Sequence, residues 1–475
     1  MKIVSTDYQK SMNRSFRSFS TVVIKLQRAN GEMTFAGEQI LGVSRIAEVD
    51  PISRRLPTET LSFSLIDPKG IFDTNSPNAE FDEEDLGKNV SVSFGYYVNG
   101  KYEYIEPDIY ILNQKPTYAN GVASFKAQKR LYTLTKIYYK GIVTYSSFSY
   151  WALAFRVLTD AGVSQDDFIL DDILKLYNTS APLPIDTHKN CLQMIAHACG
   201  CALYTDSKNR IVIKKVNFTN PNILDFTISR RDVVKDSETM KKIATLHKIE
   251  SYCYGYYDIS DDETTIFSEN IKSAEGGSYH IEFPVATNVA VYVNGNIINA
   301  DIYAQAADFE IPSGDVEIVA KGNRVNKSAS VYAKYVTSDT RNGEDSIKNP
   351  TISDYSVAAV IAENTALYLM RRNSATFSYR GNPEIEPMDA IYYSSPYGDT
   401  EKAIVLRNEI EYNGSISGKM TIKILRESGG GRLLDALGEV VIDSKEEEIT
   451  TTEIKDTKSD YTTNEMNKFI ESVVS

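Results

Sequence analysis

Residues 371–424 contain the feature that most constrains the fold, because short runs in the two-residue period of a strand alternate there with distinctive turns. A Gly-Asn-Pro tripeptide at 381–383 breaks the first run, and Pro387 cannot donate a hydrogen bond inside a sheet. The Asn-Gly dipeptide at 413–414 suits a tight hairpin between the last two runs. The pattern therefore predicts scaffold structure and not a catalytic loop. The strand-like runs are 375–379, 384–393, 403–412 and 417–424.

Composition places the chain among β-rich globular proteins. Its 475 residues predict roughly three or four domains, and its 31 tyrosines, with many β-branched residues, favour strands. A net charge of -13 argues against sequence-specific nucleic-acid binding, which needs a basic surface. The sequence contains neither a signal-peptide pattern nor a long apolar stretch, so we expect no stable membrane insertion and assembly in a bacterial cytoplasm.

The N-terminal region, residues 1–138, reads as a small barrel or sandwich. Leu61, Phe63 and Leu65 alternate with polar residues, which predicts a strand with one buried face. An Asn-Gly turn at 99–100 predicts a hairpin between 90–98 and 101–105. A second Asn-Gly turn, at 120–121, predicts that 108–112 pairs with 122–131.

Two helices and a hairpin predict a mixed domain at residues 139–224. One helix should begin near Ser149 and stop at Gly162, and another should run from about Thr187 to Gly200. The segment 201–216 then reads as a hairpin around a polar turn.

The remaining residues predict two further domains and a tail. A helix capped by Ser353 should precede the strands of 371–424. The fold class we predict is a multidomain, β-rich α+β protein with two tube-type β-barrels, a mixed α/β domain and an inserted β-sandwich. The predicted ranges are 1–138 for the first barrel, 139–224 for the mixed domain, 225–260 with 339–426 for the second barrel and its helix, 261–338 for the sandwich and 427–475 for an acidic C-terminal tail.

A group of histidines and cysteines has the residue types of a zinc site but not the spacing. The cysteines fall across the end of a predicted helix and the start of a strand, so no Cys-x-x-Cys pair presents two thiolates to one ion. We therefore predict reduced, packed thiols, surface histidines and no metal. The candidates are His188, Cys191, His197, Cys199 and Cys201.

Carboxylate pairs raise the possibility of catalysis. Glu384 with Glu386, or Asp171 with Asp172, could flank a sugar as a glycosidase requires, but the flanking prolines of the first pair favour a structural turn. The acidic run at 261–263 lacks the pattern of a calcium loop. Neither a Gly-x-Ser-x-Gly elbow nor a phosphate-binding glycine loop is present, so we predict no catalytic residue, no cofactor and no enzymatic activity.

Two separated stretches resemble one family. SYRGNPEIEPMDAIYY at 378–393, followed by VLRNEIEYNGSISGKMTIKI at 405–424, resembles the C-terminal part of hub or tail-tip proteins of phage tails and related contractile particles. NCLQMIAHACGCALYTDSKNRIVI at 190–213 resembles the mixed domain of the same family. The position of Met388 is commonly glycine in that family.

The resemblance implies a homotrimer in which two barrels per chain make a ring of six. The implied partners are the tail tube or a distal tail protein, spike or tail-fibre subunits, and the tape-measure protein, all in a virion tail or phage-like particle. Contractile tails, non-contractile tails and bacteriocin-like particles all fit. A tail-associated cell-wall or polysaccharide hydrolase and a receptor-binding adhesin remain alternatives, both using a module at 277–336.

Overall fold

The computed structural model describes residues 5, 7–8, 19–142, 147–218, 221–258, 263–337, 340 and 342–426. The predicted tail at 427–475 and residues 261–262 of the acidic run lie outside this range. The described chain is rich in strands, which form several sheets, and helices supply a smaller part of the fold.

Strands and helices follow one another in this order. The first strands are β1 (Ser20–Arg28), β2 (Gly31–Ala36), β3 (Ile40–Glu48), β4 (Thr58–Ile66), β5 (Asn89–Val98), β6 (Lys101–Tyr104), β7 (Asp108–Leu112), β8 (Thr117–Ala119), β9 (Val122–Gln128) and β10 (Ile137–Tyr138). Next come β11 (Phe148–Ser149), α1 (Tyr150–Asp160), β12 (Phe168–Leu170), β13 (Asn178–Thr179), β14 (Asp186–Thr187), α2 (His188–Ala198), β15 (Cys201–Thr205), β16 (Ile211–Lys215), β17 (Ile223–Ile228), β18 (Thr239–Lys242) and β19 (Leu246–Asp258). The last are β20 (Thr264–Ala274), β21 (Gly277–Glu282), β22 (Ala286–Val293), β23 (Asn296–Ile297), β24 (Asp301–Ile302), β25 (Ala306–Ile311), β26 (Gly314–Tyr335), β27 (Gly343–Ile347), α3 (Tyr355–Met370), β28 (Asn373–Tyr379), β29 (Ala390–Ser394), β30 (Thr400–Tyr412) and β31 (Ile416–Ile424). Short 3-10 turns lie at Gly37–Gln39, Glu83–Asp85, Arg130–Thr133, Gln165–Asp167 and Asp172–Lys175.

One large sheet joins the two regions for which separate barrels were predicted. Within the described residues its 15 strands follow the open path β18-β28-β31-β30-β3-β4-β9-β7-β5-β1-β2, with β6, β8, β17 and β29 paired beside it. The prediction of two closed barrels is therefore wrong. The reason is that β3 pairs with β4 on one side and with β30 on the other, from Val43↔Tyr412 to Glu48↔Arg407. The edge that could close the first barrel is occupied by the C-terminal strands.

Alternating side chains build the core of this sheet as the sequence predicts. Leu61, Phe63 and Leu65 are buried, and the ring of Phe63 stacks on Phe125 at 4.7 Å between centroids. Burying each such side chain stabilises the fold by about 1.5–3 kcal/mol.

The Asn-Gly turns are only partly as predicted. Asn99 and Gly100 have φ angles of 48° and 86° and close the predicted hairpin of β5 and β6. The turn at 120–121 instead joins β8 to β9, and β7 reaches β9 only at Ile111↔Gln128 and Leu112↔Ala127. The predicted direct hairpin of β7 and β9 is wrong because the short strand β8 lies between them along the chain.

The mixed unit contains the helices and the hairpin of β15 and β16. Ser149 caps α1 by accepting from the Ala152 N–H, and Thr187 caps α2 by accepting from the Asn190 N–H. Asp354 caps α3, one residue after the predicted cap. The predicted cap, Ser353, instead accepts from the N–H of Ser180 at 2.7 Å and so ties the loop to β13.

The inserted region is continuous with the mixed unit. β26 pairs first with β20 and β22 and then, over 11 register positions, with β19. A separate apolar core, which includes Ile281, Val291, Phe309 and Ile318, lies between its sheets. Among the described residues, no helix is both long and apolar enough to cross a membrane.

Candidate functional site: a polar cavity beside a buried ion pair

A cavity of about 420 Å³ lies where the large sheet, the hairpin of β15 and β16, and the turn at 386–389 meet. Charged and hydroxylated side chains line much of it, which is unusual for a space next to a sheet core. The polar lining residues are Arg45, Glu59, Asp108, Tyr110, Lys129, Tyr204, Thr205, Asp206, Ser207, Lys214, Lys215, Asn217, Asn222, Glu386 and Asp389.

A buried ion pair forms one wall of the cavity. The Nη1 of Arg45 on β3 lies 2.6 Å from the Oδ2 of Asp108 on β7, and both residues are almost fully buried. The same nitrogen donates to the Pro383 carbonyl at 3.3 Å. Burial alone would lower the pKa of Arg45, but the Asp108 charge raises it above its ordinary value. The guanidinium therefore holds together β3, β7 and the turn that precedes β29.

Glu59 connects the large sheet to the mixed unit. Its two carboxylate oxygens accept from the backbone N–H of Thr205, at 3.0 and 3.1 Å. Burial raises the pKa of Glu59 to about 7, although the Lys129 charge and the Thr205 hydrogen bond oppose the rise. Lys129 also crosses this boundary, because its Nζ donates to the Asp206 carbonyl at 2.8 Å.

The turn beside the cavity has an unusual backbone. Met388, at the position that is commonly glycine in the resembled family, has a φ of 75°. A left-handed conformation costs a residue with a side chain about 1–2 kcal/mol. Several hydrogen bonds hold the turn. The Met388 N–H donates to the Val405 carbonyl at 2.8 Å, the Val405 N–H donates to the Asp389 carbonyl at 2.9 Å, and the Glu386 N–H donates to the Asp389 carboxylate at 2.9 Å.

The glutamates proposed as a catalytic pair occupy different environments. Glu386 lines the cavity, whereas Glu384 is buried and is not among the lining residues. Burial raises the pKa of Glu384 to about 7, and its Oε1 has no hydrogen-bond partner within the described part of the chain. The other pair is also engaged structurally, since Asp171 accepts from the Ile173 N–H and Asp172 pairs with Lys175 at 2.8 Å.

The two histidines of the candidate metal group are not on the surface, which corrects the prediction. His188 is 3% exposed, with Nδ1 2.8 Å from the Lys136 carbonyl and Nε2 2.8 Å from Asp160. The Nε2 of His197 is buried without a hydrogen-bond partner in the described residues, and burial lowers its pKa to about 4. Both rings pack inside because α2 contacts the rest of the mixed unit through polar positions as well as through its apolar face.

The cysteines are free and buried, as the sequence predicts. Burial raises the pKa of the Cys191 thiol to about 12 and that of Cys201 to about 12, so both are protonated near neutral pH. Within the ranges that the structure describes, there is no group of three or more His, Cys, Asp or Glu residues that could hold a metal ion.

Sequence reasoning missed the residues that shape the cavity. Arg45 occupies an inward position of β3, two residues after the buried Val43. The available signal was a charged residue at a position where the strand alternation predicts a buried apolar one. The identity of its partner was not predictable, because Asp108 lies 63 residues away along the chain.

Three solved structures are similar to this chain. The tail protein from Neisseria meningitidis MC58 is 8% identical with a TM-score of 0.45, covering 85% of this chain and 96% of its own. The 43 kDa tail protein of prophage MuSo2 from Shewanella oneidensis is 10% identical with a TM-score of 0.46, covering 85% and 98%. Prophage tail protein gp18 from Listeria monocytogenes EGD-e is 11% identical with a TM-score of 0.42, covering 84% and 94%. The sequence matches no protein-family model and no curated protein.

Proposed function

We propose that this chain is a structural hub or tail-tip component that joins the tail tube to the baseplate and spike of a phage-like particle. One observation carries the proposal: the two segments whose sequences resemble hub proteins meet at the polar cavity. Residues 204–207 of the 190–213 segment form part of one side of it, and the 386–389 turn forms part of the other. Two matches that are far apart in sequence thus belong to one continuous piece of structure.

The role we propose is mechanical. The large sheet runs through both strand-rich regions, and the Arg45–Asp108 ion pair joins two of its strands. The Glu59–Thr205 contacts fasten the sheet to the mixed unit. Buried polar contacts of this kind require a fixed geometry, since each group loses its water on burial. A subunit that transmits load between a tube and a spike needs such a fixed arrangement.

In the assembled particle we propose a homotrimer, with two sets of strands per chain and six sets around the axis. The β3–β30 pairing marks the boundary between the two sets in one chain. The proposed neighbours are the tube or distal tail protein on one side, spike or tail-fibre subunits on the other, and the tape-measure protein in the lumen.

A reconstruction of the assembled particle by electron cryomicroscopy tests this proposal. We expect three copies of the chain in one ring at the end of the tube. Six copies, one copy, or a location on a peripheral fibre would refute the hub role.

A zymogram with bacterial cell walls tests the hydrolase alternative. The purified chain should leave the cell walls intact. Clearing that is lost in Glu386→Gln but kept in Lys419→Glu would favour the hydrolase.

A further inference from the structure

The strand β18 forms one end of the large sheet and has an open side. It pairs with β28 from Thr239↔Thr376 to Lys242↔Asn373, and no other described strand pairs with it. All four of its residues are exposed. An open edge of this kind presents unpaired backbone groups to any extended polypeptide that approaches it.

The backbone geometry identifies which groups face outward. The N–H of Ile243, just after β18, donates to the Arg372 carbonyl at 3.0 Å. Because hydrogen-bonded and non-hydrogen-bonded pairs alternate in an antiparallel ladder, Thr239 and Lys241 also bond toward β28. The N–H and C=O groups of Met240 and Lys242 therefore point to the open side.

The side chains around this edge combine positive charge with apolar surface. Lys241 and Lys242 form no ion pair with any described residue, and a cavity of about 240 Å³ lies beside them. Tyr397 at its rim is 81% exposed, and Met240 is 37% exposed. The acidic residues there are partly engaged, since Arg426 lies 2.9 Å from Glu401 and 3.6 Å from Asp399.

We propose that the open edge of β18 binds an extended, acidic segment of a partner polypeptide, which adds to the sheet as a further antiparallel or parallel strand. Backbone hydrogen bonds to Met240 and Lys242 would supply affinity. Lys241 and Lys242 are adjacent in the strand and therefore lie on opposite faces of the sheet, so acidic side chains on both faces of the added strand would reach them. Lysines on an edge also disfavour pairing with another copy of the same edge. The same charges therefore select an acidic strand over a neutral or basic one. The inference follows from the sheet edge alone and does not depend on the tail function.

Fluorescence anisotropy with the full chain tests the proposal. The probe is a labelled peptide of roughly six residues, the length of an ordinary strand, in which two adjacent Glu residues are flanked by Thr and Val, so that one carboxylate lies on each face. The comparison peptide carries Lys in place of Glu. We expect the acidic peptide to bind more tightly than the basic one, and its binding to weaken as salt is raised.

Two variants separate the backbone contribution from the charge contribution. Lys241→Glu combined with Lys242→Glu should weaken binding by about tenfold, since two attractive contacts become repulsive. Met240→Pro removes one outward N–H while leaving the β28 ladder intact. It should weaken binding, but the remaining binding should depend on salt as it does in the wild type, because both lysines are kept. Lys419→Glu, on an exposed position of β31 away from this edge, is the matched control and should bind like the wild type. The melting temperature of each variant verifies that it is folded.

Equal binding of the acidic and basic peptides, or acidic-peptide binding unchanged in both edge variants, would overturn the proposal. So would the absence of binding to the full chain. If the peptide bound only to a chain ending at residue 426, the protein's own C-terminal segment would be the occupant, and the proposed partner would be wrong.

Discussion

Two buried clusters, one in each half of the large sheet, differ in their chemistry. In the N-terminal half, aromatic rings pack against one another around Phe125, with Phe63 stacked at 4.7 Å and Phe72 edge-on at 5.0 Å. Phe81 approaches the same ring at 6.4 Å. These contacts depend on volume and shape, and none of them involves a polar atom.

In the C-terminal half, a hydrogen-bonded network lies at the equivalent depth. The Tyr379 hydroxyl donates to the Asn408 Oδ1 at 2.7 Å and accepts from the Asn382 N–H at 2.9 Å. The Asn408 side chain donates in turn to the Ile385 carbonyl at 2.8 Å and to the Asn382 carbonyl at 3.1 Å. Glu384 lies in the same turn and is buried.

The difference shows two ways of fixing a sheet. An apolar core tolerates changes that preserve volume, whereas a buried polar network fails when a single donor or acceptor is lost. The network holds the Gly-Asn-Pro turn, whose backbone passes so close to β31 that a Cβ on Gly381 would lie 2.7 Å from Ser417 backbone atoms. The following predictions test this contrast.

Phe125→Ala should have the largest effect, a loss of about 3–5 kcal/mol in the free energy of unfolding, because it opens a cavity among several rings. Chemical denaturation monitored by fluorescence measures it. Phe125→Leu is the control and should lose less than half as much. A small effect of the alanine variant would mean that this half of the sheet can collapse around the vacated space.

Asn408→Leu should cost about 2–4 kcal/mol despite its similar branched shape, because the variant can neither accept from the Tyr379 hydroxyl nor donate to the Asn382 and Ile385 carbonyls. The same denaturation experiment applies. If Asn408→Leu were neutral, the polar network would contribute no more than an apolar core of the same shape, and the contrast between the halves would disappear.

Glu384→Gln should change how stability depends on pH. The pKa of Glu384 in the folded protein is about 7, above its ordinary 4.5, so the folded state binds more protons between these values. The wild type should therefore lose stability as pH rises from about 4.5 through 7, and the amide variant should not lose this contribution. We expect the free energies of unfolding of the variant and the wild type to be nearly equal at pH 4. By pH 8 the variant should be more stable than the wild type by about 1–3 kcal/mol. Glu59 titrates in both proteins, so its contribution cancels, and a pH-independent difference would contradict the prediction.

Tyr379→Phe should have the smallest effect, about 1–2 kcal/mol, because it removes one hydroxyl and keeps the ring. The ring packs on Phe377 at 6.2 Å, and that contact should remain. In a double-mutant cycle with Asn408→Leu, the two losses should be strongly non-additive. Additive losses would show that Tyr379 and Asn408 act separately.

Local structure was largely predictable from the sequence. The Asn-Gly turn at 99–100, the start of α2 after Thr187 and the hairpin at 201–216 are confirmed, since each depends on residues close in sequence. The choice of Asp354 over Ser353 as a helix cap was not predictable, because both residue types cap well and a contact with Ser180 decides between them.

Long-range pairing was not predictable from the sequence. Alternation in β3 and β30 identifies two strands with buried faces, but it does not specify that they pair with each other. The same holds for the cavity, since Glu59 meets Thr205 only because two units pack together. The buried position of His188 likewise depends on Asp160 in another helix.

The pairing of β3 with β30 also sets the order in which a ribosome allows this protein to fold. Arg407 reaches Glu48 across 359 positions of sequence. At a synthesis rate of about 5–20 residues per second, β3 emerges roughly 20 to 70 s before its partner exists. During that interval β3 pairs only with β4, and its other edge is available to any strand nearby. We therefore expect the nascent N-terminal region to depend on chaperones or on a transient pairing until the last strands are made.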